Sequence, residues 1–450
     1  MLKKVLIANR GEIALRVIKA CELTGIKSVA VYSTADKESL PALIADEAYC
    51  IGSAQAKKSY LDIPSVLEVA RRAEVDAIHP GYGFLAENAD FADACVNAGF
   101  IFIGPSGDAI RKMGDKAEAR KTMTNAGVPV VPGTKDLITS LSEAKKVAEE
   151  IGYPVLIKAT AGGGGKGMRV VRKPDDLEKA LRQASQESER SFGNSGVYLE
   201  KYLEDSRHVE IQIMADNYGN VVYLGERDCS TQRRHQKLLE EAPSPVVDHE
   251  MRQSMGKAAV AAAKAVHYSG AGTVEFIVDA HKKFYFMEMN TRIQVEHPVT
   301  EMISGTDLVR TQLMVASGDE LPWSQKDIKL KGWAIECRIN AEDYKHGFMP
   351  CPGKVKVYLP PQGEGIRVDS CMFSGYDITP FYDSMIAKVI VWGPTRLEAI
   401  NKMKGALKKF RIEGVKTTIP LHLRLLENPD FVAGKVGTTY VEKHLEEILQ

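Results

Sequence analysis

The apolar positions follow two rhythms. Residues 3–9 and 27–33 read as short buried strands. Between them, Ile13, Val17, Ile18 and Cys21 recur at helical spacing over 12–24, and Gly25 stops the helix. The unit repeats: helix 63–73, strand 77–79, helix 88–97, strand 101–104. That rhythm predicts an open parallel sheet. Next come a helix at 140–151 opened by Ser140 and Glu143, strands 154–159 and 169–172, and a helix at 175–191. Strands 197–203, 207–215 and 221–225 lead to a helix over 248–267. A helix is predicted from 298 to about 317, an alternating strand at 331–340, short strands to about 392, and two closing helices. The fold class is α/β (α+β overall).

Three stretches break these rhythms. In Gly272–Pro298, strands 273–278 and 284–289 are joined by the polar turn 279–283, a hairpin signal. If the backbone stays extended, Glu288, Asn290, Arg292, Gln294 and Glu296 share one face, and Met287, Met289, Ile293 and Val295 share the other. Glu275 lies on the partner strand. Burying such charges costs several kcal/mol unless something compensates, and a cation held by oxygen ligands would do so. The alternative is a solvated strand face. Lys158 sits in an apolar strand, and Ala161, Gly162, Gly163, Gly164, Gly165, Lys166, Gly167 and Met168 follow. Glycine backbone can approach a polyphosphate closely, although the loop leads to a strand and is not a Walker A sequence. Residues 226–237 are dense in hydrogen-bond donors and read as either a solvated loop or an anion-binding segment.

Composition narrows the classes. The chain has 450 residues, enough for two to four domains, with 44% hydrophobic and 26% charged residues. Lys+Arg and Asp+Glu are both 59, which does not favour nucleic acid. No apolar run reaches membrane-spanning length. Seven scattered cysteines without a CxxC pair suit reduced thiols in a cytoplasm. The first strand–helix turn, Ala8-Asn9-Arg10-Gly11-Glu12, lacks the dinucleotide-binding glycines. His79-Pro80-Gly81-Tyr82-Gly83 is a rigid loop at a strand end, where open α/β sheets place ligands.

Taken together, Asn9-Arg10-Gly11-Glu12, the His79–Gly83 loop, Met113-Gly114-Asp115-Lys116, the Lys158–Gly167 stretch, Glu226–Ser230, Glu288–Pro298 and Glu336–Glu342 resemble the biotin carboxylases of the ATP-grasp superfamily. Glu288–Pro298 is the most specific of these. The resemblance covers essentially the whole chain. Ala161 stands where many relatives have a fifth glycine.

The resemblance implies a Rossmann-like N-terminal domain (1–113), an ATP-grasp domain (114–317) with a mobile lid at about 132–203, and a β-rich C-terminal domain (330–445). It implies a ligase that uses ATP, bicarbonate and Mg2+ (or Mn2+) to carboxylate biotin on a separate biotin carboxyl carrier protein. ATP would be held by Lys116, Lys158, the 162–168 loop, Glu200, Lys201, Tyr202, Leu203, His208, Gln232 and His235. Glu275, Glu288 and Asn290 would bind the metal. Lys237, Arg292, Gln294 and Val295 would bind bicarbonate, with Glu296 as its general base. Arg338 and Tyr82 would face biotin, with Glu87 nearby. The partners implied are the carrier protein, carboxyltransferase subunits and a second copy of the chain, in the setting of acetyl-CoA carboxylase or alternatively a pyruvate or other acyl-CoA carboxylase. No Met-Lys-Met carrier motif occurs, so a separate, cytoplasmic subunit is expected, without nucleic-acid or membrane partners. A dehydrogenase would need the missing glycine turn. A regulatory ATP-binding subunit would lack a ligand or base that is present. A carboxylate–amine ligase fits the Arg292–Glu296 segment poorly.

Overall fold

The computed structural model describes residues 2–134, 137–138, 140–159, 168–192 and 196–449. The first sheet contains β1 (Lys4–Ile7), β2 (Lys27–Ser33), β3 (Glu47–Gly52), β4 (Ala77–His79) and β5 (Ile101–Phe102). Its order is β3-β2-β1-β4-β5, all parallel. Val5, Leu6 and Ile7 are fully buried at its centre, as a strand covered by helices on both faces requires. Only β3 was absent from the sequence pattern, because it is a half-exposed edge strand with little alternation. The helix Gly11–Thr24 ends at Gly25 in the left-handed conformation, as expected.

A three-stranded antiparallel sheet, β6 (Val155–Ala159), β7 (Met168–Val171) and β8 (Val197–Lys201), has β6 in the middle. It lies in the expected lid stretch. Gly162, Gly163, Gly164, Gly165, Lys166 and Gly167 fall outside the described residues.

The largest sheet carries the site. It starts with β9 (Arg207–Ala215), β10 (Val221–Arg233), β11 (Gln236–Ala242), β12 (Gly270–Val278), β13 (Phe284–Asn290) and β14 (Trp333–Asn340). The short strands β15 (Glu342–Asp343), β16 (Met349–Pro350), β17 (Gly353–Lys354) and β18 (Val357–Leu359) follow. Then come β19 (Ile366–Asp369), β20 (Asp377–Ile378), β21 (Met385–Gly393) and β22 (Arg411–Glu413). The large sheet runs β13-β12-β9-β10-β11-β14-β21-β19, antiparallel throughout, while β15/β16, β17/β20 and β18/β22 pair separately.

Strand parity gives this sheet two different faces. Val209, Ile211 and Ile213 of β9 and Val274, Phe276 and Val278 of β12 join one apolar core. The alanine-rich helix His249–Ala265 covers it with Ala259, Ala262 and Ala263. Close approach is built in: a Cβ on Gly256 would lie 2.6 Å from the Tyr223 ring. The alternate residues His208, Glu210, Gln212, Thr273 and Glu275 are also buried, on the opposite, polar face.

Four expectations change. The segment after 225 is not a loop: β10 continues to Arg233 and β11 starts at Gln236, because Glu226, Arg227 and Asp228 find partners inside. The extended comb also fails. β13 ends at Asn290, residues 291–296 form a loop, and a helix begins at His297 with Pro298 in its first turn. A bulge between Glu275 and Phe276 leaves Met287 44% exposed, so it does not share the buried side of Met289. The helix predicted to 317 is two, His297–Ser304 and Leu308–Ala316, broken at Gly305 with φ 70°. Finally, Arg396–Lys409 and Ile419–Glu427 are followed by three further short helices, Pro429–Val432, Tyr440–Lys443 and Leu445–Leu449. Among the described residues, no helix is long and apolar enough to cross a membrane.

Phe276 packs edge-on against Phe284 across the hairpin, ring centres 5.3 Å apart, and is fully buried. Phe276→Ala is expected to lower unfolding free energy by about 3–5 kcal/mol in denaturant titration. A loss below about 1 kcal/mol would show that this core does not hold the hairpin.

Candidate active site

The described residues expected at the site, Glu87 excepted, line one cleft of about 1820 Å³: Tyr82, Lys116, Lys158, Met168, Glu200, Lys201, Tyr202, Leu203, His208, Gln232, His235, Lys237, Glu275, Glu288, Asn290, Arg292, Gln294, Val295, Glu296 and Arg338. Glu87 does not line it. It instead accepts bonds from the Thr291 backbone N–H (3.1 Å) and from Arg292 Nε (2.9 Å), fixing the loop after β13.

The polar face is assembled by register. Glu288 pairs with Glu275, Glu275 with Glu210, and Glu210 with Arg227, so one cross-strand row runs over β13, β12, β9 and β10. Three carboxylates in a row repel one another and would not stay ionised without cations. Lys237, from β11, supplies the central one. Its ammonium lies 2.6 Å from Glu210, 3.1 Å from Glu275 and 2.6 Å from Glu296. Arg227, wholly buried, donates to Glu210 (2.7 Å), Gln212 (2.6 Å), Thr300 (3.0 Å), Thr273 (3.1 Å) and Gln294 (2.6 Å).

The loop 291–296 folds back onto this row. Gln294 Nε2 reaches Glu275 Oε1 at 2.8 Å, and Asn290 Nδ2 reaches the same atom at 2.9 Å. Arg292 Nη2 donates to Asn290 Oδ1 at 2.8 Å. Glu296 sits between Lys237 and Arg338, whose Nη2 is 2.9 Å from its second oxygen. Arg338 is anchored in turn by Glu240. Burial pushes the Glu296 pKa up, but Lys237, Arg338 and Arg227 outweigh burial and the Glu210 charge and hold it below the usual carboxylate value. Glu296 is therefore ionised at neutral pH.

Glu288 behaves oppositely. Desolvation and the neighbouring Glu275 charge raise its pKa, Lys116 and His208 only partly offset them, and its side chain opens to the cleft. A divalent cation between Glu288, Glu275 and the Asn290 amide oxygen would relieve that repulsion with hard oxygen ligands, so this donor set fits magnesium or manganese.

At the cleft's other wall, Glu200 bridges Lys158 (2.6 Å) and Arg120 (2.8 Å). The backbone N–H groups of Lys201 and Tyr202 already donate to the Pro132 and Pro154 carbonyls. Those two groups are thus spoken for in the stretch expected to bind adenine. His235 and Arg234 form the two-residue turn between β10 and β11, with φ of 62° and 49°. Two non-glycine residues in the left-handed region are a strained way to build a hairpin, and here the strain presents His235 to the cleft.

Sequence reading assigned no role to Arg120, Glu210, Arg227, Glu240, Glu336 or Lys388, although Arg227 and Glu336 lie in motifs that carry the resemblance. Nothing local in the run His208-Glu210-Gln212 says that its partners are Glu275, Lys237 and Arg227, from three other strands.

Residues 1–110 match the family model "Biotin carboxylase, N-terminal domain", 115–324 match "Carbamoyl-phosphate synthase L chain, ATP binding domain", and 336–443 match "Biotin carboxylase C-terminal domain". The chain is 61% identical over 445 residues to Biotin carboxylase 1 of Bacillus subtilis, covering 99% of both chains. It is 55% identical over 444 residues to a pyruvate carboxylase subunit of Methanothermobacter thermautotrophicus, covering 99% of this chain and 90% of that one. The biotin carboxylase domain dimer of Hydrogenobacter thermophilus 2-oxoglutarate carboxylase, solved with MgADP, ADP and bicarbonate, superposes with a TM-score of 0.93 at 50% identity, covering 100% and 99% of the two chains.

His208 yields a pH prediction. Burial disfavours its charged form, but Glu275, 3.0 Å away, with help from Glu210, outweighs burial and the Lys237 charge, raising the pKa from 6.5 to about 9. A raised folded-state pKa gives stability that is complete below pH 6.5 and lost as pH climbs through about 9. The stability difference between wild type and His208→Gln should therefore shrink steadily over that window in thermal melts without added nucleotide. A difference that stays constant would mean His208 is neutral in the folded protein.

Proposed function

The chain belongs to the biotin carboxylase family, and from that premise we propose how its residues divide the work of ATP-dependent biotin carboxylation. The observation that carries the reading is Glu296: an ionised, buried carboxylate clamped by Lys237 and Arg338 beside Arg292 and Gln294. A regulatory nucleotide site has no use for such a base.

In this reading Lys116, Lys158 and His208 meet the phosphates of ATP, with Glu200–Leu203, Gln232 and His235 toward the nucleoside. Met168, at the start of β7, stands toward the phosphates. Glu275, Glu288 and Asn290 hold magnesium, which would offset charge as phosphate is transferred. Arg292, Gln294, Lys237 and the Val295 backbone hold bicarbonate. Glu296 takes its proton, and the resulting oxyanion attacks the γ-phosphorus, giving carboxyphosphate and ADP. Carboxyphosphate breaks down to carbon dioxide and phosphate; the phosphate so released takes the N1′ proton of biotin, and N1′ then forms its bond to the carbon of carbon dioxide. Arg338 is positioned to stabilise the enolate oxygen of biotin by a fixed charge. Tyr82 lies on the biotin side. Water must be kept from carboxyphosphate, which gives a closing lid over 132–203 its purpose.

The biotin is presented by a separate carrier protein and passed to a carboxyltransferase, and the working unit is a homodimer. We assign the acceptor as acetyl-CoA, in keeping with the biotin carboxylase relatives. The likeness to a pyruvate carboxylase component supports a second reading in which pyruvate is the acceptor. Co-purification of one transferase, followed by assay with acetyl-CoA and pyruvate, decides between them.

ATP hydrolysis should require both bicarbonate and magnesium and rise with free biotin. Hydrolysis indifferent to bicarbonate would sink the assignment. Glu296→Gln should lower kcat by about a hundredfold or more; near-normal turnover would remove Glu296 as the base.

A further inference from the structure

Lys388 is the one ionised residue in the buried run 386–391 of β21, between Ile386, Ala387, Val389, Ile390 and Val391. Its side chain has no solvent exposure. A buried charge is costly to keep, and apolar replacement of buried ion pairs is often neutral or stabilising, so strand packing alone gives no reason for a lysine there. Its contacts give one. Nζ donates to the Val295 carbonyl at 2.7 Å and pairs with Glu12 at 3.0 Å. The same Glu12 oxygen accepts the Tyr82 hydroxyl. On the other side, Lys388 is the register partner of Arg338. One ammonium thus joins the helix Gly11–Thr24, the loop 291–296 and β21, and touches none of the residues expected to meet ATP.

The carbonyl it holds belongs to the peptide that links Val295 to Glu296. Fixing that oxygen fixes the peptide plane, and with it the backbone from which the Glu296 carboxylate projects. We propose that Lys388 is a positioning residue for bicarbonate, locking the Val295–Glu296 peptide between the helix Gly11–Thr24 and β21. The inference rests on the roles given above to Val295 and Glu296. It adds that the bicarbonate subsite is completed by a residue that never touches substrate. Glu336, wholly buried and, among the described residues, without a hydrogen bond to either oxygen, is pushed well above the usual carboxylate range by burial, against the charges of Lys388 on the neighbouring strand and Arg338 on its own.

The test is steady-state ATP hydrolysis by the full chain with bicarbonate and ATP varied separately. Lys388→Met keeps the length and apolar stem but removes the donor. It should lower kcat/KM for bicarbonate by about tenfold to a hundredfold and leave KM for ATP within about twofold. Because Lys388→Met strands the Glu12 charge, Lys388→Met/Glu12→Gln is made beside it. The double variant should melt closer to wild type than the single one, yet keep the bicarbonate defect. Lys388→Arg, which retains the charge with a displaced donor, should show the same bicarbonate-selective loss and serves if the neutral variants do not fold. Equal losses toward ATP and bicarbonate, or recovery of bicarbonate kinetics in the double variant, would make Lys388 merely structural and overturn the proposal. Wild-type hydrolysis without bicarbonate dependence would instead overturn the functional reading itself.

Discussion

The shared ammonium of Lys237 is the interaction on which the rest depends. Glu210, Glu275 and Glu296 come from β9, β12 and the loop after β13, and all three end on this one cation. Ionised groups this deeply buried cost several kcal/mol each unless paired. Lys237 cannot satisfy them alone. Arg227 takes the far side of Glu210 and Arg338 the far side of Glu296. The sheet's register is therefore under electrostatic as well as hydrophobic control. A one-residue slip of β12 would turn Phe276 toward the cations and Glu275 into the apolar core. Both errors are penalised at once, which is why a row of like charges can sit at the centre of a stable sheet.

Much of this was legible in the sequence, for identifiable reasons. The hairpin of β12 and β13 showed because its strands alternate and its turn is polar. Glu275 was placed on the strand opposite Glu288, but the turn's own register would set it against Met287, and only the bulge between Glu275 and Phe276 pairs it with Glu288. The parallel N-terminal sheet showed through apolar runs separated by amphipathic helices. Lys158 stood out because its strand is otherwise apolar, and its partner Glu200 lies on the adjacent strand.

The rest was hidden by distance along the chain. Arg227 and Glu226 read as part of either a solvated loop or an anion-binding segment, because polar residues in a run suggest a loop. Their partners, Gln294, Thr300 and Arg252, are assigned only by the fold. Lys388 was hidden differently. A lone lysine in a β-strand is ordinarily an exposed edge residue, and nothing local says that Glu12, some 376 residues earlier, will meet it. Parity also misled: alternation places residues on one face only while the strand continues.

That failure of parity is what makes the site compact. An extended continuation would carry Glu296 about 20 Å beyond Asn290, at roughly 3.3 Å per residue. The loop instead returns Gln294 to Glu275, at 2.8 Å, and puts Glu296 on the same ammonium as Glu275. The carboxylate proposed as the base and the carboxylate proposed for the metal then share a countercharge. In that proposal, a proton taken by Glu296 withdraws one negative charge from around Lys237. The ammonium's field is left to Glu210, Glu275 and any substrate anion close by. Charge lost at the base is thus balanced where phosphate transfer builds charge, without a side chain having to move. A straight strand would have supplied the same residues and kept the two events electrically apart.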